Sequence, residues 1–225
     1  MRIDIISAVP DLLFSPLNTS IIKRAQDRKK VEIIIHDLHD YGKGKYRQID
    51  DTCYGGGAGM VLNAEPIAQI IEKLLSERKY DDVIFMTPDT TIFDQAQANK
   101  MSSLSNLIFL CGHYKGIDER IRETYITREI SIGDFVLTGG EIPACAVIDS
   151  IVRLIPGVIS DEQSALSDSF QDGILSAPVY TRPSDWRGKK VPEVLLSGNF
   201  KKIDEWRQSQ AEERTQEKRP DLLTD

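Results

Sequence analysis

The sequence predicts an α/β fold built on a mainly parallel sheet. Residues 83–87 (Val-Ile-Phe-Met-Thr) and 107–111 (Leu-Ile-Phe-Leu-Cys) are continuous apolar runs. Runs without alternation suit strands covered on both faces, as in a parallel sheet. Helical stretches near 94–102 and 117–124 separate or follow these runs. The order strand–helix–strand–helix is the signature of the α/β class.

The other elements follow in chain order. Residues 2–7 alternate polar and apolar, which predicts a half-buried strand. Ile21, Ile22 and Ala25 sit on a helix that ends in the basic stretch Lys23 to Lys30. Cations there suit the helix macrodipole, so the stretch reads as a solvated helix end before it reads as an RNA-facing patch. Residues 31–36 are a β-branched run, a second strand. Residues 37–60 read as irregular and polar. Asn63 stands where a cap is needed, before a helix whose Ile67, Ile70, Ile71, Leu74 and Leu75 share one face. Residues 141–155 form a helix with Pro143 in its first turn, apolar almost all round and hence central or covered by another subunit. Residues 156–173 are polar and aperiodic, which places a domain boundary near 160–173. A polar helical tail carrying Ile203 and Trp206 ends the chain.

Composition narrows the function classes. The chain has 225 residues, 28 Lys+Arg against 35 Asp+Glu, and a net charge of −7. That is ordinary globular composition, and the acidic balance argues against indiscriminate nucleic-acid binding while allowing a local basic face. No apolar run reaches the ~18 residues of a membrane span, and the N-terminus reads as lacking a signal peptide. Cys53, Cys111 and Cys145 are odd in number and widely spaced, with no metal-binding CxxC. The simplest reading is a reduced, cytoplasmic, soluble protein.

Four features could carry chemistry. Gly55-Gly56-Gly57-Ala58-Gly59 is followed by Met60 and Val61, so it is no phosphate loop; it reads as a flexible turn, or as a loop bringing backbone close to a ligand. Gly112 to Arg120 follows an apolar run, at the strand end where open α/β sheets bind ligands. His113 by itself reads as a structural or surface histidine, and His36, His39 and His113 have no metal-ligand spacing. Ser131 to Glu141 sets glycines around a short apolar segment, a backbone on which a nucleotide-like ligand could lie. Arg153 lies inside the apolar helix and therefore needs an anionic partner, protein or ligand. Asp168, in Asp168-Ser169-Phe170, reads as a solvated loop acid or a cap.

Together these segments resemble the bacterial tRNA (guanine-N1)-methyltransferase family. The matching residues are Asp50-Asp51, Tyr54 to Met60, Cys111 to Arg120, Ser131 to Glu141, Asp168-Ser169-Phe170, Tyr180-Thr181-Arg182-Pro183 and Arg219 to Leu223. The resemblance runs essentially the whole length. It implies a SPOUT-type α/β fold: a mainly parallel sheet tied in a trefoil knot, with helices on both faces, plus a small mainly helical C-terminal domain. Residues 1–160 would be the knotted S-adenosylmethionine-binding domain, 161–173 a flexible linker and 174–225 a tRNA-binding domain. The protein would be an obligate homodimer with active sites at the subunit interface.

The cofactor pocket carried over by position comprises Thr87, Pro88, Gly112, Tyr114 and Gly116, then Ser131, Ile132, Gly133, Asp134, Phe135, Val136 and Leu137, with Gly139, Gly140 and Pro143. The implied reaction methylates N1 of the guanine 3′ to the anticodon (position 37). That nitrogen carries a proton at neutral pH and is a poor nucleophile until a base removes it. Asp168 matches the family's general base, and Arg153 the residue that stabilises charge on guanine O6. An ordinary aspartate, with a pKa near ~3.9, is a weak base, so the reaction needs a site that raises it or stabilises the guanine anion. The site is completed across the dimer, so that Asp168 acts against cofactor held by the other subunit.

Two positions depart from the pattern. Lys115 stands where many relatives carry an acid linked to magnesium, and a protonated lysine cannot ligate a cation. Thr90 stands where glycine is common. The remaining classes fit less well. A dinucleotide oxidoreductase would need GxGxxG. A methyltransferase acting on ribosomal RNA would not need the segment after 174. A non-catalytic RNA-binding dimer would not need Asp168 and Arg153 together.

Overall fold

The computed structural model describes residues 1–159 and 168–223. Residues 160–167, within the aperiodic stretch, lie outside the described residues. The chain divides into two compact units, Met1–Ser160 and Asp161–Asp225. The first runs β1 (Arg2–Ser7), α1 (Asp11–Leu17), α2 (Ser20–Asp27), β2 (Glu32–Asp37), a 3-10 turn (Leu38–Tyr41), β3 (Asp50–Thr52), β4 (Met60–Leu62), α3 (Ala64–Glu77), β5 (Asp82–Met86), α4 (Gln95–Met101), β6 (Asn106–Cys111), α5 (Glu119–Tyr125), β7 (Arg128–Ile130) and α6 (Glu141–Val152). Five strands form one sheet in the order β2-β1-β6-β5-β7, and every pairing is parallel.

Successive side chains of a strand point to opposite faces, and the two cores divide on that rule. Ile84, Met86, Leu107, Phe109 and Cys111 pack with Leu13 and Leu17 of α1, Ile22 and Ala25 of α2, Met101 of α4 and the buried face of α6. Their neighbours Val83, Phe85, Ile108 and Leu110 pack on the opposite side, with Ile67, Ile70, Ile71 and Leu74 of α3 and Ile121 of α5. Helices therefore cover both faces, the reason these strands read as unbroken apolar runs.

The structure corrects several expectations. β1 is not half-buried: it lies between β2 and β6, with Ile3 to Ser7 all buried. Its alternation arises because Asp4 is a buried polar group. The Asp4 carboxylate accepts from Arg2 Nε at 2.7 Å and from Tyr80 Oη at 2.7 Å, and is hydrogen-bonded to His36 Nε2 at 2.8 Å. The polar stretch 37–60 contains a 3-10 turn, β3 and the start of β4; β3 and β4 pair antiparallel, and the glycine run is their connecting loop. Asn63 occupies the N-cap position of α3 but makes no side-chain capping bond, and Leu75 is 42 % exposed because it falls off the α3 stripe.

In the second unit, β8 (Asp185–Trp186) and β9 (Lys189–Lys190) form a short hairpin, followed by α7 (Glu193–Leu196) and α8 (Phe200–Lys218). α8 buries Ile203, Ala211 and Thr215, and Trp206 meets the ring of Tyr180 at 6.4 Å. Thr215 Oγ1 accepts from Leu175 N–H at 2.9 Å, so this polar helix fixes the segment before Pro178. Arg219 stacks over Phe170 at 5.7 Å.

Asp4 yields a stability prediction. Burial by itself would push its carboxyl up, but the hydrogen bonds from His36, Arg2 and Tyr80 outweigh it and hold the group well below the usual carboxylate range. A depressed folded-state value stabilises the fold fully above the ordinary value near ~3.9, and the contribution fades as pH falls toward the folded-state value. Asp4→Ala is therefore expected to cost about 3 kcal/mol at pH 7, leaving Arg2 without its main partner. The gap should narrow in acid. Urea unfolding of both proteins from pH 7 to 2 measures it; equal stabilities at pH 7 would contradict the assignment.

Candidate functional site

β6 and β7 flank β5: after β5 the chain steps inward to β6 and then returns past β5 to β7, reversing direction across the sheet. Such a reversal opens a crevice beyond the carboxyl ends of the strands. A cavity of about 470 Å³ lies there. Three loops build it, each leaving the end of one strand.

Backbone hydrogen bonds stitch the loops together. After β5, Thr87 N–H donates to Ile130 C=O at 3.0 Å and Phe93 N–H to Ser131 C=O at 2.8 Å. After β6, Gly140 N–H donates to Gly112 C=O at 2.8 Å, and His113 bridges to Gly139. Lys115 N–H donates to Met60 C=O at 2.9 Å and Leu62 N–H to Gly116 C=O at 3.0 Å, which docks β4 and its glycine loop on the rim. Within the third loop, Ser131 Oγ bonds both the N–H and the C=O of Gly133.

Close backbone approach dictates glycine at 140. A Cβ there would stand 2.8 Å from Gly112 N and 2.9 Å from the Cys111 Cα, atoms that cannot swing aside. Tyr114 holds a left-handed φ of 59°, which turns the second loop over the cavity at some cost in backbone energy. Burial, and then the charge of Asp50, push its phenol up.

The lining is divided in character. Phe135, Val136 and Leu137 form an exposed apolar lip. At the polar end, Arg122 binds Glu129 at 2.7 Å and Asp89 at 3.0 Å, and its guanidinium lies 5.4 Å from the Phe85 ring centre. Asp89 also accepts from Thr87 Oγ1, and this bond, with the Arg122 charge, lowers its carboxyl below the usual range. Glu129 contributes most to raising the Arg122 guanidinium.

Fourteen of the sequence-predicted cofactor residues line this cavity: Thr87, Pro88, Gly112, Tyr114, Gly116, Ser131, Ile132, Gly133, Phe135, Val136, Leu137, Gly139, Gly140 and Pro143. Asp134 does not; it lies in the same loop without joining the wall. Arg153 is not inside α6 but at its C-cap, half-buried, where its backbone N–H still bonds Asp149 C=O at 3.1 Å. Asp168 belongs to the second unit, half-buried beside a cavity of about 390 Å³ that Asp172, Asp204 and Arg207 also line. Among the described residues, no three His, Cys, Asp or Glu side chains gather into a metal-binding group, and no helix is long and apolar enough to cross a membrane.

The profile of the family described as tRNA (Guanine-1)-methyltransferase TrmD matches residues 1–225. The chain belongs to that family. A tRNA (guanine-N(1)-)-methyltransferase of Bacteroides fragilis is 61 % identical over 225 residues, covering 100 % of both chains. Those of Flavobacterium psychrophilum and Chlorobaculum tepidum are each 58 % identical over 223 residues, 99 % of this chain and 99 % and 97 % of theirs.

In this member of the methyltransferase family, sequence reasoning missed the polar end of the cavity. Asp89, Glu119 and Arg122 line it, yet Arg122 gains Asp89 and Glu129 only through folding; the Glu119 spacing of i,i+3 was the one local signal. Lys115, noted as a departure, is also on the wall.

Two predictions follow from this geometry. Gly140→Ala should destabilise the protein by about 1–3 kcal/mol through forced backbone movement, read as a lowered urea midpoint; an unchanged midpoint would mean that the loops can separate freely. Burial, then the charge of Glu141, push the Cys145 thiol up to about 11 and the Cys111 thiol higher than its ordinary value. Both should stay protonated at pH 8, so brief maleimide treatment of the native protein should modify Cys53 alone by peptide mass. Labelling at Cys145 would refute this.

Proposed function

We propose that this protein transfers a methyl group from S-adenosylmethionine to N1 of the guanine 3′ to the anticodon of tRNA, position 37. The observation that carries the reading is convergence: residues from three separated segments, 87–88, 112–116 and 131–143, meet on one cavity. The family match over residues 1–225 and the activity named for the relatives support the reaction and its tRNA substrate.

The wall suits the cofactor. The apolar lip of Phe135, Val136 and Leu137 fits a purine face, and the turned backbone at Ser131–Gly133 and Gly139–Gly140 lines the same cavity. When bound, S-adenosylmethionine supplies an electrophilic methyl group on a sulfonium sulfur. The protein's own part is to hold the guanine and move its proton. Asp168 takes the N1 proton as the base. Arg153 sets a cation where negative charge grows on O6, so that the weak basicity of a carboxylate suffices.

The reading extends to a trefoil knot among the stitched loops, and to a homodimer in which Asp168 of one subunit serves cofactor held by the other. The exposure of Leu12 and Phe14 on α1 and of Ile142 on the adjoining α6 supports an apolar subunit contact. Residues 174–225 form the tRNA-binding domain in this reading. Exposed Lys23, Arg24, Arg28, Lys29 and Lys30, and exposed Arg182, Arg187, Lys189 and Lys190, provide basic strips on a chain of net charge −7.

The decisive assay is methyl transfer from labelled S-adenosylmethionine to unmodified tRNA, with the modified base mapped. Label at N1 of the guanine 3′ to the anticodon is expected. Cofactor binding with no tRNA label would overturn the reading. Because Lys115 cannot ligate a cation, turnover on prefolded tRNA should persist without added magnesium. Asp168→Ala should lower turnover by at least ~10²-fold and leave cofactor and tRNA affinities within about twofold. Binding of tRNA should weaken steeply with salt; a flat response from low to moderate salt would remove the basic strips from the interface.

A further inference from the structure

Beneath the cavity floor lies a buried polar cluster that the proposed chemistry does not use. Glu141, at the start of α6, is 1 % exposed. Its Oε1 accepts from Ser7 Oγ at 2.7 Å, and Ser7 Oγ in turn accepts from Val9 N–H at 2.8 Å. The other oxygen, Oε2, is buried and has no hydrogen-bond partner. Among the described residues, His113 Nδ1 shares that condition, as does Arg78 Nε. Glu141 Oε2 and His113 Nδ1 flank the same point. A Cβ added to Gly139 would stand 2.3 Å from Glu141 Oε2 and 2.8 Å from His113 Nδ1. With no side chain at 139, the carboxylate and the ring face one gap, across which the two atoms make no hydrogen bond to each other as they stand.

We propose that Glu141 is a positioning residue whose Oε2 takes the Nδ1–H of His113, fixing the tautomer of a ring that lines the cavity, so that Nε2 serves as an acceptor for an N–H or O–H donor on the bound cofactor.

The chemistry leaves little choice. A buried carboxylate oxygen needs a donor, since an unpaired one costs its full desolvation. A neutral imidazole has one N–H and one bare nitrogen, and the bond made by one nitrogen sets the role of the other. A carboxylate oxygen accepts and does not donate, so a bond between the two puts the proton on Nδ1 and leaves Nε2 bare. The ring is already fixed in plane by Tyr114, whose ring meets it edge-on at 4.7 Å. Its backbone is held by the bridge to Gly139 and by Gly116 N–H at 3.0 Å. Thus β1, through Ser7, reaches the cavity wall by way of α6.

Naming the cofactor rests on the proposed function; the tautomer does not. The first experiment therefore uses the ligand-free protein at neutral pH, with ¹⁵N-labelled histidines read by long-range ¹H–¹⁵N correlation. Only three histidines are present, and His113→Gln assigns the third by loss. The Nδ1–H tautomer is expected at His113. The Nε2–H tautomer or a doubly protonated ring would overturn the proposal, whether or not any variant folds.

The second experiment uses Glu141→Gln. Ser7 still donates to the retained carbonyl oxygen, so the amide NH₂ turns to His113 and Nδ1 must accept. The ring should flip to Nε2–H, and affinity for S-adenosylhomocysteine should fall about tenfold, the usual worth of one such bond, with kcat changed less than KM. A folded variant with an unflipped ring, or a flipped ring with unchanged affinity, would overturn the assignment. Methylthioadenosine, which lacks the amino-acid group, tells on which half of the cofactor the donor lies. If neither compound binds even to the wild-type protein, the cofactor reading fails while the tautomer result stands.

Discussion

The close contact between the loop after β6 and the loop after β7 is the constraint on which the site depends. The hydrogen bond from Gly140 N–H to Gly112 C=O, at 2.8 Å, brings two main chains together with no side chain between them. Any Cβ at 140 would meet backbone at 2.8–2.9 Å. That contact places the start of α6 against the end of β6, and so sets the apolar lip of 135–137 opposite the second loop. Without it the three strand ends would still be adjacent, but they would open to solvent rather than enclose a cavity.

Polar groups buried along β1 tie this region to the core. Asp4 is held from three directions by Arg2, His36 and Tyr80, and Ser7, three residues on, bonds the buried Glu141. A central strand tolerates such groups only when their bonds are made, because each unmade bond costs the full desolvation of the group. The reward is register: a one-residue slip of β1 would turn Asp4 and Ser7 toward the wrong faces. The same strand that organises the sheet therefore reaches the functional loops through one serine.

Much of the fold was legible because local pattern and tertiary role agree. The runs at 83–87 and 107–111 are β5 and β6, buried on both faces as their composition requires. The stripe Ile67, Ile70, Ile71 and Leu74 is the inner face of α3. The reading of β1 as half-buried failed because alternation cannot distinguish a solvent-facing aspartate from one whose partners come from residues 2, 36 and 80. The short hairpin β3–β4 was missed because strands of three residues carry too little pattern, and what holds β4 is its pairing with 115–118, far away in sequence.

The sequence by itself determined the fold class, the helix and strand identities of the long elements, and the motifs that identify the family. Those properties depend on neighbouring residues and their spacing. Tertiary structure alone decided that Arg153 caps α6 instead of lying within it, that Asp134 stays off the cavity wall while thirteen of its loop and strand-end companions and Thr87 form it, and that Arg122, Asp89 and Glu129 meet at one end. It also decided that Glu141 and His113, 28 positions apart by their numbers, face one glycine. Such convergence follows from strand order and crossover, where contacts are made between loops that no local spacing relates.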